Sequence, residues 1–202
     1  MPIPITHVTD ISSDGVTIFM ENPRKQGLNF MKLAKVDDPS FRVVHNLGSF
    51  KGQISLENMK ADTNYSIAVA RSFLSDKTKT KELDQYFSEP IFIRTCPGVP
   101  SEPTNVIGSR LNATSVRVAW SKPMHPRGTI DGYSVEYSHM TPEGYVRNSV
   151  SQVNPDLYQA DIHDLPSEVS VDVTVRAHTR ASSEGKGGGW GLESTRFTIP
   201  GK

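Results

Sequence analysis

The chain reads as all-β, organised as two consecutive sandwiches of seven strands each over residues 1–96 and 97–202. Three observations predict this. Short alternating runs separated by Gly, Pro, Asn, Asp and Ser recur from end to end, and no long helical periodicity interrupts them. A β-type stretch ending in proline occurs twice, as Val16-Thr17-Ile18-Phe19-Met20-Glu21-Asn22-Pro23 and as Val116-Arg117-Val118-Ala119-Trp120-Ser121-Lys122-Pro123. Each copy is followed by a strand opening near Tyr65 or Val171 and by a closing strand, Ser88 to Thr95 or Ser194 to Ile199, and a period of roughly 100 residues is one sandwich domain. Finally, 202 residues with the single cysteine Cys96 suit two domains held by packed apolar strands. One thiol permits neither an intrachain disulfide framework nor a Cys-based zinc site.

In the first half Val16, Ile18 and Met20 share one face of a strand and point inward. The segment Leu28 to Val36 has two readings. Leu28 and Phe30 inward would force Lys32 inward, whereas Met31 and Leu33 inward would put Phe30 outside, so a bulge that switches register is one solution. Ile54 and Leu56 belong to the strand before the corner Met59 to Tyr65, and Ile67 and Val69 continue inward after it.

The second half alternates more cleanly. Val116, Val118 and Trp120 form one inward face, Tyr133, Val135 and Tyr137 the next, and Val169, Val171, Val173 and Val175 a third at period two. Between the halves, Thr95 to Pro103 carries prolines at 97, 100 and 103, which favours an extended, semi-rigid connection with bending at Gly98.

Charge excludes some partners. The 22 basic and 22 acidic residues cancel, which argues against a dedicated nucleic-acid or membrane-surface binder. No stretch approaches the length of a transmembrane span, so the segment itself is not expected to insert into a membrane, and Met1-Pro2-Ile3-Pro4 lacks the regions of a signal peptide. Two sandwiches with neither head nor tail read as a segment of a longer array, the alternative being an intracellular protein.

The residues resemble the fibronectin type III family. Pro103-Thr104-Asn105-Val106, Thr114 to Pro123 and Ile130-Asp131-Gly132-Tyr133-Ser134-Val135-Glu136-Tyr137 resemble its first three strands. In the first half Met59, Ala61, Thr63 and Tyr65 match its Leu-x-Pro-x-Thr-x-Tyr corner. Each half departs in one place: Met20 stands where the core tryptophan belongs, and Val171 where the corner tyrosine belongs. The resemblance implies two immunoglobulin-like sandwiches of the fibronectin type III type. Two-domain cytokine receptors are similar in layout, but Trp190-Gly191-Leu192-Glu193-Ser194 is not their Trp-Ser-x-Trp-Ser signature and the first half lacks their cysteines.

Catalysis has no footing in the sequence. The six histidines are scattered without metal-ligand spacing, so no metal, cofactor or catalytic residue is expected. Gly185-Lys186-Gly187-Gly188-Gly189-Trp190-Gly191 lacks the spacing of a phosphate loop and joins two strands, which reads as a flexible hairpin. Candidate contact residues fall in the first half. Lys77, Lys79, Lys81 and Tyr86 lie in a long connection from Ser72 to Phe87 that could meet a protein or an anionic glycan, or simply be solvated. Phe19 and Phe92 point away from their own core if Ile18, Met20, Ile91 and Ile93 point inward, leaving either a partner surface or rings covered by a neighbouring segment. The sequons Asn112-Ala113-Thr114 and Asn64-Tyr65-Ser66 are candidate glycosylation sites, the first in an exposed turn and the second at a strand corner. Cys96 reads as an unpaired, partly buried linker thiol, or as one able to pair between chains.

The resemblance implies a non-catalytic binding and spacing segment on the extracellular side of a cell-surface receptor, adhesion molecule or receptor-type tyrosine phosphatase, with a protein ligand or co-receptor as partner. Any enzymatic domain would lie elsewhere in the parent chain. The alternatives are a cytoplasmic scaffold or cytoskeletal pair of the same module, and accessory domains of a secreted carbohydrate-active enzyme.

Overall fold

The computed structural model describes residues 3–21, 28–48, 52–72 and 86–201. The chain divides into two compact units, Met1–Cys96 and Pro97–Lys202, and every regular element among the described residues is a strand.

In the first unit β1 (Ile5–Thr9), β2 (Val16–Met20) and β5 (Gln53–Leu56) form one antiparallel sheet in the order β1-β2-β5. The second sheet, β4-β3-β6-β7, is built from β3 (Leu28–Lys35), β4 (Asp38–Gly48), β6 (Asn64–Ser72) and β7 (Ile91–Arg94). Val16, Ile18 and Met20 meet Met31, Leu33, Tyr65, Ile67 and Val69 between the sheets, the arrangement that period-two alternation dictates. The ambiguous third strand resolves toward Met31 and Leu33. Both lie in the core, and β3 pairs with β6 without interruption from Leu28 to Lys35. The irregularities fall in the pairing with β4, where register shifts between Asn29 and Phe30 and again between Ala34 and Lys35, so the edge strand absorbs them. Phe30 is nonetheless buried, on the opposite face of the sheet, where its register partner on β6 is the buried Ala70.

In the second unit β8 (Thr104–Asn112), β9 (Ser115–Ser121) and β12 (Gln159–Ile162) form the sheet β12-β9-β8. The facing sheet runs β11-β10-β13-β14, from β10 (Ile130–Thr141), β11 (Gly144–Gln152), β13 (Val171–Thr179) and β14 (Gly189–Trp190), with β15 (Phe197–Ile199) also pairing β13. Strand β13 alternates strictly, and Val171, Val173, Val175 and Ala177 pack with Trp120, Tyr133, Ile162 and Ile199. Trp120 and Tyr133 form a tilted aromatic pair 5.3 Å apart, and burial pushes the Tyr133 phenol up to about 12. On the outer face of the smaller sheet Arg117 grips Asp161 through two hydrogen bonds of 2.7 and 2.8 Å, which holds the Asp161 carboxyl below its usual range.

The closing strand of this unit is shorter than Ser194 to Ile199. Gly189 and Trp190 already pair with β13, the chain then leaves the ladder, and only Phe197–Ile199 return to it. Ser194 makes the junction, its amide donating to Val175 O at 2.8 Å and its hydroxyl accepting the Val175 N–H at 3.0 Å. Ser88 makes the same double contact with Val69 in the first unit, at 2.9 and 3.1 Å.

Candidate functional site

Of the residues singled out in the first unit, Lys77, Lys79 and Lys81 lie outside the described residues. Tyr86 is exposed. Phe92 is 68 % exposed, on the outward side of β7 opposite Ser66. Phe19 is not exposed in the same way. Register places His7 across from it on β1, and the two rings stack with centroids 4.3 Å apart and planes within 8°, so a neighbouring strand covers it. Phe19 and Phe92 stand on different sheets and form no common patch.

Cys96 is buried, with its thiol donating to Ile11 O at 3.2 Å and its amide to Ser12 O at 2.9 Å. It is built into the first unit, and this burial removes the access that pairing between chains requires. Asn64 is half-buried at the start of β6, in register with Arg94. Asn112 is exposed at the turn between β8 and β9, where its Oδ1 accepts the Thr114 N–H at 2.9 Å and the Thr114 hydroxyl at 3.3 Å, an Asx-turn.

The richest constellation among the described residues lies on the outer face of the larger sheet of the second unit and includes none of the candidate contact residues. Strand alternation turns Glu136, Thr174, Arg176 and His178 outward, and pairing brings Arg147 of β11 within reach of them. The Glu136 carboxylate accepts from Arg147, whose Nε donates at 3.1 Å, and pairs with Arg176 Nη2 at 3.2 Å. Arg176 stacks its guanidinium over the Trp190 ring, 5.0 Å from the centroid, and His178 meets the same ring edge-on at 4.9 Å. His178 also contacts Asp131 at 2.6 Å, Asp131 lies 3.6 Å from Arg180, and Arg196 lies 3.8 Å from Asp172. Hydrogen bonding to Glu136 holds the Arg147 guanidinium above its ordinary range, so its charge is fixed. A cleft of about 40 Å³ opens beside this network, lined among others by Tyr145, Arg147, Glu193 and Arg196.

Residues 101–193 match the family described as the fibronectin type III domain. The second unit carries a fibronectin type III domain. The chain is also 30 % identical over 156 residues to the cell adhesion molecule DSCAM of Homo sapiens, an alignment covering 77 % of the chain and 7 % of that protein. It is 27 % identical over 155 residues to the tyrosine-protein phosphatase Lar of Drosophila melanogaster, covering 75 % and 7 %, and 28 % identical over 131 residues to protein sidekick-2 of Gallus gallus, covering 63 % and 6 %. The chain thus spans about a fourteenth of the length of the first of these relatives.

Within the fibronectin type III domain the glycine-rich connection is packed, not a free hairpin. Gly188 N donates to Pro97 O at 2.8 Å, Gly191 N to Ala177 O at 2.9 Å, and Ser182 and Lys186 close a turn at 2.9 Å. A Cβ on Gly191 would lie 2.3 Å from Pro100 O, and one on Gly188, at φ +68°, would lie 2.5 Å from Thr179 O. Gly191 is there because the Pro100 backbone comes too close for a side chain, and Gly188 because the Thr179–Ala181 backbone does. The Pro97–Ser101 segment is further tied by Gly98 N to Arg127 O at 2.8 Å and by Ser101 N to His125 O at 2.9 Å.

A second opening of about 280 Å³ separates Pro103–Val106 from Ser194–Phe197. Its walls are mixed in polarity. No group of three or more His, Cys, Asp or Glu placed to hold a metal occurs among the described residues, and no helix long and apolar enough to cross a membrane occurs among them.

Sequence reasoning passed over the Arg147–Glu136–Arg176–Trp190 row. Its signal is present as polar outward positions at period two along β13, Asp172, Thr174, Arg176 and His178, but which residues of β10, β11 and β14 oppose them depends on register.

Proposed function

We propose that the chain is a non-catalytic recognition and spacing segment on the extracellular side of a larger cell-surface protein of the adhesion or receptor type, and that both units are fibronectin type III modules of one array. One observation carries this reading. The alignment with the adhesion molecule runs over 156 residues, whereas the second unit, Pro97–Lys202, holds only 106, so the similarity must continue through the junction into the first unit. The two-sheet topology of the first unit and the shared Ser88 and Ser194 contacts support the same reading.

The partner class is a protein ligand or co-receptor. Exposed Phe92, Tyr145 and Trp190 are side chains of the kind that carry binding energy in protein interfaces. A glycan is attached at Asn112, where the sequon is exposed and its turn is set by the Thr114 contacts, while half-buried Asn64 within a strand is the poorer acceptor.

A multimerised form of the chain, presented to a panel of cell-surface ectodomains from the same organism, should capture a saturable partner, with the monomer competing. Absence of any saturable partner across the panel would remove the recognition role. Secretion from eukaryotic cells should add one glycan mass that Asn112→Gln abolishes, and an unmodified mass would refute that assignment.

A further inference from the structure

We propose that the outward face of strands β11, β10 and β13, with Trp190 at its edge, is a docking surface for an acidic patch on a partner protein. This rests on reading the chain as a recognition segment and assigns its contact face to the fibronectin type III domain.

The charges on this face are layered. Three carboxylates lie low, with Glu136 14 %, Asp131 26 % and Asp172 33 % exposed at the side chain, while one guanidinium paired to each stands high, Arg147 at 61 %, Arg180 at 67 % and Arg196 at 65 %, the second partner of Glu136, Arg176, lying at 35 %. Each carboxylate holds a guanidinium from beneath. An arginine has five N–H donors in a fixed fork, and Arg147, which spends Nε and Nη2 on Glu136, is held in a set orientation while its side chain stays 61 % exposed. A partner carboxylate meeting such a group loses little side-chain freedom, the main cost that weakens contacts between exposed ions.

Apolar anchors adjoin the arginines. Tyr145, Met140 and Trp190 are exposed, the first two in register across β10 and β11 and the third stacked on Arg176. Tryptophan, tyrosine, methionine and arginine are the residue types enriched at protein interfaces. The cleft of about 40 Å³ between Tyr145, Arg147, Glu193 and Arg196 has room for the tip of one side chain.

Charge complementarity decides the occupant. Arg147, Arg180 and Arg196 stand over Glu136, Asp131 and Asp172, while Arg176 at 35 % and Glu193 at 44 % lie between, so the face is close to neutral overall while its most exposed charges are cationic. A polyanion of high charge density gains little from a neutral face. A protein patch with a few spaced Asp or Glu around an apolar centre matches both layers.

The test uses the whole chain and a labelled 16-residue peptide of alternating Glu and Tyr as the probe, with a heparin dodecasaccharide as a second probe. Saturable binding of the peptide at low salt is expected, weakened by added salt. Arg147→Glu with Arg196→Glu should weaken it at least about tenfold, and Arg147→Lys with Arg196→Lys severalfold, since lysine keeps the charge and loses the fork. Phe92→Ser should leave it unchanged. Thermal melting shows that each variant remains folded, and the lysine pair serves if the glutamate pair does not fold. No saturable peptide binding, undiminished binding by both folded pairs, or tighter binding of heparin than of peptide would each overturn the proposal. An ectodomain partner whose capture survives the arginine changes but is lost with Phe92→Ser would also overturn this face while leaving the recognition role standing.

Discussion

At the corner leading into β6, the Tyr65 hydroxyl accepts the Lys60 N–H at 2.8 Å, and the Thr95 hydroxyl donates to Lys60 O at 2.7 Å. At the matching corner before β13 the residue is Val171, fully buried and without a polar atom to offer. There Arg110, reaching from β8, donates to Val169 O, to Ala113 O at 3.2 Å and to Pro200 O at 3.0 Å. One unit closes its corner from inside with a phenol, and the other from outside with a guanidinium. Backbone groups at a strand corner need partners, and the fold accepts any side chain that reaches them. The second unit thereby also ties its first strand to its last residues through a side chain, where the first unit ties the end of its chain to the segment after β1 through the Cys96 amide and thiol on Ser12 O and Ile11 O.

The cores differ in parallel, Met20 in one and Trp120 in the other, both buried. The largest expected effect tests that difference. Trp120→Ala should cost the second unit about 3–5 kcal/mol and Met20→Ala the first about 2–5 kcal/mol, read as separate melting transitions. A single shared transition would show that the units do not unfold independently.

Arg110→Ala comes next, with a loss of about 2 kcal/mol in the second transition alone, because three carbonyls lose a charged donor together. If it costs no more than an ordinary surface substitution, the guanidinium does not stand in for the phenol. Tyr65→Phe is smaller, about 1 kcal/mol in the first transition, since only the Lys60 N–H loses its partner. The smallest effect is absent at neutral pH. Tyr133, raised from 10.0 to about 12, keeps its proton in the folded state over a range where the unfolded chain has lost it. Its contribution is therefore complete below pH 10 and declines as pH rises from there toward 12, which denaturant titrations followed in the second transition should show. Tyr133→Phe should remove that alkaline dependence.

Much of the fold is legible in the residues themselves. Val171, Val173 and Val175 at period two can only be one buried face, and Val16, Ile18 and Met20 behave alike. The third strand is not legible, because Phe30 is as apolar as Met31 and is also buried, though on the other face of its sheet. Alternation identifies which residues share a face, but not whether that face is the core. Phe19 shows the same limit: its outward direction follows from the sequence, and its cover follows from the β1–β2 register that sets His7 against it. Gly188 and Gly191 look like slack in one dimension and are close packing in three.

The sequence alone determined the all-β class, the doubled landmarks, the inward faces of β2 and β13 and the exchange of tyrosine for Val171, because these depend on residue type and on a spacing of two along one strand. Tertiary structure decided the contacts that cross strands: Arg110 at the corner, Gly191 against Pro100, and the row Arg147, Glu136, Arg176 and Trp190. A one-residue change of register would turn each of those side chains to the other face, and no local preference fixes register across four strands.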